Sequence, residues 1–283
     1  MIASPPPTCL GRASGVQSLP PFSPVACRLV QLVTNEKAHF REVSELFALD
    51  AALSSQVLRV ANSSLFGSRY EIASILQAVL AVGADRLRDI AVMVAMKNYM
   101  GEEDDAFLLR CWRHNLATAL WCEKLVRYCD LEPSTAYTAG MLHDIGHIAL
   151  LMLFPHQYVA SMDDTLTGGS HRLEAERELF DADHCQIGHN LSTAWNFPSP
   201  LVDVIAHHHE PVTPESPASR LLVQAACAAA TISGFHTVGP QPEWGPARID
   251  ALLPTRHSGS GPNYEDLLDA VALKLNQTEC TLL

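Results

Sequence analysis

A histidine and an aspartate stand side by side in AGMLHDIGHIAL (139–150), at His143 and Asp144, inside a run that is otherwise small or apolar. Burying an imidazole and a carboxylate in such surroundings is costly unless something satisfies them. A metal ion, a bound substrate or neighbouring side chains could each do so. Ten of the thirteen histidines fall between residues 114 and 209. They include His114 in CWRHNLATA, His184 at the start of HCQIGH, and His207, His208 and His209 before Glu210. Imidazole nitrogen and carboxylate oxygen together suit Mn, Fe, Zn or Co better than Ca or Mg. Neighbouring residues on a helix diverge by about 100°, so His143 and Asp144 can share an ion only at the edge of the face between them. Further ligands must then come from other helices, and at most two of His207–His209 can point into one site.

The elements that would carry these residues read as helices throughout. Apolar residues recur three and four apart in FREVSELFALD (40–50) and ALSSQVLRVANSSLFG (52–67). Gly67 and Gly83 are natural stops, the second dividing 74–100 into two helices. After an acidic break, GEEDD (101–105), a long amphipathic helix covers 107–129. Pro133 opens the next helix, which carries the His-Asp pair. Further helices are expected at 171–180, 184–195, 200–211, 219–234 and 246–252, and a final one at 263–277 that either packs on the domain or binds a partner. No strand pattern appears. The fold class is all-α, a multi-helix bundle with an N-terminal helical subdomain. The expected division is a flexible tail at 1–17, an N-terminal helical part at 18–100, a histidine-bearing part at 101–213, and C-terminal helices with a Pro/Gly-rich segment at 214–283.

Composition bounds the rest. A chain of 283 residues with formal charge −12 lacks the positive field expected of a nucleic-acid or anionic-lipid binder. The eight scattered cysteines show no C-x-x-C spacing, which favours reduced thiols in a cytoplasm over a disulfide framework. The N-terminus, MIASPPPTCLGRASG, has no apolar signal core. The longest apolar runs are too short to span a bilayer, so a soluble, cytoplasmic protein is expected.

Taken in order, SLPPFSPVACRLVQLV (18–33), LRVANSSLFG (58–67, with Asn62 and Ser63 in a Leu-x-x-x-Asn-Ser pattern), SILQAVLAVGADRLRDI, CWRHNLATA, AGMLHDIGHIAL, EAERELFDADHCQIGHNLSTAWNFP and VIAHHHEP resemble the HDOD domain. That domain is a relative of the HD phosphohydrolases and HD-GYP phosphodiesterases. The resemblance covers roughly 18–213 and implies an HD-like helical bundle. It implies a metal set of His114, His143, Asp144, His184, His208 and His209 for one or two divalent ions (Fe, Mn or Zn). In it Asp144 bridges, with His114 and His143 on one side and His184, His208 and His209 on the other. Such a pair of ions could activate a bridging water towards a phosphodiester.

The departures from the family pattern matter as much. Where a later aspartate ligand is expected the chain has Cys227, an altered ligand or a packed thiol. Where HD-GYP enzymes place a lysine it has His147, and the Gly-Tyr-Pro motif is missing. Glu176 falls at an acidic family position, as a ligand, as an acceptor for a histidine N–H, or as a surface charge. Trp112 and Trp195 read as core. The catalytic residues, if any, remain unknown.

The family is generally regarded as regulatory. The resemblance therefore implies a protein of bacterial signal transduction acting through protein contacts, or through ligand or metal binding without catalysis. Its partners would be signalling proteins or a second copy of itself. The alternatives are a metal-dependent phosphohydrolase acting on a nucleotide or cyclic dinucleotide, a metal sensor, and a histidine cluster that binds no metal at all.

Overall fold

The computed structural model describes residues 18–32, 40–63, 71–101, 105–129, 131–164, 169–213, 215–237, 246–253 and 262–282, and no strand occurs among them. The chain runs through α1 (Pro24–Gln31), α2 (Phe40–Phe47), α3 (Ala51–Ala61), α4 (Ile75–Val82), α5 (Ala84–Tyr99), α6 (Ala106–Leu125) with a 3₁₀ turn (Val126–Tyr128), and α7 (Pro133–Leu142). It continues through α8 (Ile145–Leu153), α9 (Pro155–Asp164), α10 (Gly169–Phe180), α11 (His184–Ala194), α12 (Ser199–His207), α13 (Ala218–Ile232), α14 (Pro246–Leu252) and α15 (Tyr264–Leu282). The all-α expectation holds. The proposed tail at 1–17 and the stop at Gly67 lie outside the described residues.

Polar caps start these helices by satisfying the free N–H groups of the first turn. Ser23 accepts from Ala26 N ahead of Pro24, Asp50 from Leu53 N, and Ser74 from Gln77 N. The acidic break at 101–105 ends in such a cap, Asp105, which accepts from Phe107 N and Leu108 N. Asp183 and Gln186 form a reciprocal capping box that fixes where α11 begins, one residue before His184. Asn62 of the Leu-x-x-x-Asn-Ser pattern exchanges hydrogen bonds with the Ile72 backbone, 2.7 Å to its N–H and 2.8 Å to its carbonyl, and so closes the α3–α4 connection.

Helix α6 is buried along most of its length, from Leu108 through Trp112, His114 and Leu120 to Leu125, with its charged residues Arg110, Arg113, Glu123 and Lys124 kept towards its ends. It packs against α7, α13 and α15, while α11 lies on α8 and α12. The N-terminal helices join this core through aromatic contacts: Phe22 stacks on Trp195 (centroids 4.9 Å apart), and Tyr99 meets Trp195 edge-on (5.5 Å). Helix α15 packs rather than standing free. Lys274 Nζ sits 2.8 Å from Glu123 on α6, and Arg113 Nε sits 2.5 Å from Glu279.

Two corrections concern boundaries. His143 and Asp144 are not inside a helix; α7 stops at Leu142, the pair forms a turn, and α8 starts at Ile145. Helix α9, unassigned from sequence because Pro155 and His156 interrupt the apolar run, carries the buried Tyr158.

The crossing of α8 and α11 depends on Gly146. A Cβ there would lie 1.8 Å from the carbonyl oxygen of His184. Gly146→Ala is expected to force the helices apart and cost about 3 kcal/mol, read as a lowered urea midpoint at unchanged slope. Glu123 yields a pH prediction. Burial raises its pKa, but Arg86 and Lys274 outweigh that and bring it from 4.5 down to about 2. Its stabilisation is therefore full above 4.5 and fades as pH falls towards 2. The stability gap between wild type and Glu123→Gln should be about 2 kcal/mol at pH 7 and less than half of that at pH 3.

Candidate metal centre

Asp144 is the hub. Its carboxylate is 4 % exposed and is ringed by imidazoles from α6, the α7–α8 turn, α8, α11 and the C-terminal end of α12. His114 (α6) and His143 each place Nε2 3.9 Å from Oδ2. On the other oxygen, Oδ1, His208 Nε2 lies at 3.1 Å, and His147 (α8) and His184 (α11) Nε2 both lie at 3.6 Å. His209 stands beside His184 and His208 at the exposed mouth, its ligand atom within 4.8 Å of theirs and of Asp144. His207 turns away and binds Asp203 on its own helix. All six residues expected as ligands thus converge, and His147 joins the ring as a seventh member.

The far nitrogen of each inner ring is fixed. His114 Nδ1 donates to Phe235 O (2.7 Å), His143 Nδ1 to Gly140 O (2.8 Å), and His208 Nδ1 to Ile205 O (3.0 Å). Gly140 and Ile205 lie in the last turns of α7 and α12, where carbonyls lack helical partners. His143 and His208 are therefore local helix caps whose other nitrogen is left facing the site. His184 Nδ1 donates to Glu176 Oε2 at 2.6 Å. Tyr158 donates to Glu176 Oε1 at 2.8 Å, so its oxygen accepts from His147 Nδ1.

A carbonyl or carboxylate cannot donate, so Nδ1 carries the proton in every case. The Nε2 atoms of His114, His143 and His147, whose rings burial keeps neutral, then turn bare lone pairs towards a carboxylate, while His208 Nε2 lies at hydrogen-bond distance from Asp144 Oδ1. That arrangement is repulsive without a proton or a cation between them. His143 Nε2 and His184 Nε2 are buried and have no hydrogen-bond partner. These donors suit a divalent ion, and the acceptors behind them are of the kind that orients metal-binding imidazoles.

Electrostatics agree with the geometry. Burial pushes His143 down to about 3 despite Asp144, and pushes His147 well down. Burial would raise Asp144, but His147, His143 and His208 hold it well below the carboxylate range. Burial also lowers His208, yet Cys185 and Asp144 outweigh it and bring it to about 10. Without a metal, His208 is thus a site of positive charge.

Glu176 resolves as an acceptor and not as a surface charge. It is 3 % exposed and also takes the His184 backbone N–H (2.9 Å) and Arg172 Nε (3.3 Å). Cys227 on α13 brings Sγ 3.5 Å from His114 Nε2. Sequence reasoning missed Tyr158 and Arg172. For Arg172 a signal existed, since it lies four residues before Glu176 on α10. A cleft of about 1050 Å³ opens onto the centre past His208, His209 and Cys227.

An all-helical bundle gathering histidines around a His-Asp turn defines a protein of the HD type. The family profile of the HDOD domain matches residues 19–211, and the chain belongs to that family. A curated relative, an uncharacterized protein of Treponema pallidum (strain Nichols), is 23 % identical over 215 residues. The match takes in 72 % of this chain but 40 % of that protein's length. The fold is similar to that of an HDOD domain protein of unknown function from Geobacter sulfurreducens (TM-score 0.77, 22 % identity, 96 % of this chain and 98 % of that one). It is also similar to a "Putative phosphohydrolase" from Shewanella amazonensis SB2B (TM-score 0.71, 23 % identity, 98 % and 100 %). No helix among the described residues is long and apolar enough to cross a membrane.

Glu176→Ala strips His184, Tyr158 and Arg172 of one shared acceptor. It should cost about 3 kcal/mol in urea denaturation of metal-free protein, with Glu176→Gln recovering part of the loss. Equal stability of Glu176→Ala and wild type would contradict this anchoring role.

Proposed function

We propose that this chain is a regulatory HDOD protein whose Asp144-centred cluster takes up one or two divalent ions (Fe, Mn or Zn), and that binding, without turnover, is what it contributes to signalling. The observation that carries the metal part is the ring of five anchored imidazoles presenting Nε2 to one buried carboxylate. His114, His143, Asp144, His184 and His208 would hold metal, with His147 and His209 beside them. A bound ion would supply Lewis acidity at the mouth of the cleft.

The reading against turnover rests on the cleft wall. Among its described residues Arg177 is the one arginine or lysine, and it is held 2.5 Å from Asp183, while Glu174, Asp181 and Glu210 add negative charge. Away from the metal centre itself, the described wall would offer a phosphodiester no free guanidinium or ammonium. The partner would be another signalling protein or a second copy of the chain.

A second reading, metal-dependent hydrolysis of a nucleotide or cyclic dinucleotide, is favoured by the volume of the cleft and its direct opening onto His208 and His209. Elemental analysis of freshly purified protein, wild type beside His143→Ala/Asp144→Ala, tests both. About one or two equivalents of Fe, Mn or Zn are expected, lost in the double variant, with no release of product from nucleotide phosphodiesters by the loaded wild type. Turnover abolished in the variant would establish the second reading. Metal-free protein after growth in supplemented medium would overturn the metal part.

A further inference from the structure

The two oxygens of Asp144 face chemically unlike sets of donors. This inference rests on the metal-binding reading above and concerns which ion each half takes. On the Oδ1 side the donors are imidazoles: His147, His184 and His208. On the Oδ2 side, His114 and His143 are joined by the thiol of Cys227, and the three ligand atoms lie within 4.8 Å of one another. His143 Nε2, buried and without a hydrogen-bond partner, is aimed into this second half.

The spacing can be compared with that of a bound ion. With zinc–sulfur and zinc–nitrogen bonds of about 2.3 and 2.05 Å, a tetrahedron has a sulfur–nitrogen edge of about 3.6 Å. Cys227 Sγ and His114 Nε2 are 3.5 Å apart. Asp144 Oδ2 lies 3.9 Å from both imidazole nitrogens, outside the three-ligand group but on the same side, as the fourth donor an ion would draw in.

We infer that Cys227, His114, His143 and Asp144 Oδ2 form a thiolate-containing zinc site, chemically distinct from the nitrogen–oxygen half around Asp144 Oδ1. As the sulfur–zinc bond forms, the thiol proton passes to solvent, and no electron transfer is involved. Sulfur selects a softer ion than a carboxylate in its place would. Four protein donors also close the coordination shell, the pattern of zinc sites that hold structure and not of those that keep a water for chemistry. An ion bound here ties α6, the α7–α8 turn and α13 together.

Cobalt(II) added to the metal-free full-length chain reports the ligand directly. Wild type should show a thiolate-to-cobalt charge-transfer band in the near ultraviolet, together with intense tetrahedral visible bands. Cys227→Ser and Cys227→Asp should bind cobalt at the remaining donors without the charge-transfer band. Zinc affinity, measured by chelator competition, should fall at least about tenfold in Cys227→Ser, with circular dichroism unchanged. Cobalt uptake by wild type without the band overturns the thiolate site and leaves the metal reading standing. A band that persists in Cys227→Ser moves the thiolate elsewhere, with Cys185 the nearest alternative, and equally overturns it. Absence of cobalt uptake by every preparation overturns both.

Discussion

One buried carboxylate sets the terms for the histidine-bearing half of this molecule. Around Asp144, hydrogen bonding on the far side leaves the near nitrogens of His114, His143 and His147 without protons, so like partial charges converge at 3.6–3.9 Å. Desolvated polar groups are costly without compensation, and the fold supplies only part of it, through a charged His208. The residual imbalance is the physical reason to expect a cation. The groups behind the rings are equally constrained: two are carbonyls at helix ends, which need a donor in any case, and one is the fully engaged carboxylate of Glu176. Helix capping and site construction are accomplished by the same hydrogen bonds.

That economy explains how much was legible in the sequence. His143 and His208 each bind the carbonyl three residues earlier, a local relation, and the His-Asp pair with its flanking apolar residues points to the centre directly. The family resemblance then supplies His114, His184 and His209, and the structure gathers them. What local pattern could not reveal is the layer behind. Tyr158 reaches His147 from α9, a helix hidden by its proline-interrupted start, and Phe235 meets His114 across 121 positions of chain. Contacts of that separation leave no periodic trace. The turn at 143–144 was likewise hidden, because apolar residues flank it on both sides and neither position is a proline or glycine. Cap residues were easier: Asp105 ends an acidic run, and Asp183 precedes Gln186 at the spacing of a capping box.

The departures from the HD pattern point in one direction. His147 stands where a lysine would offer a permanent charge to phosphate, and it is instead drawn into the ring and locked by Tyr158. Cys227 replaces a hard oxygen donor with sulfur, and the cleft outside is lined with carboxylates. Each change alone would weaken catalysis on phosphates while leaving ion binding intact. Together they describe a centre suited to holding an ion, in a fold whose helices from α6 to α13 all touch it.

The glycine contact between α8 and α11 has a consequence for selectivity. Backbone lies directly on backbone at Gly146 and His184, so the His-Asp turn and the first residue of α11 are already at their closest approach before any guest arrives. The ring is preorganised, and the entropy of ordering its ligands is lost during folding and not at binding. The discrimination such a ring would make is one of donor type: imidazole nitrogens around a single carboxylate would offer calcium far fewer oxygens than its shell requires.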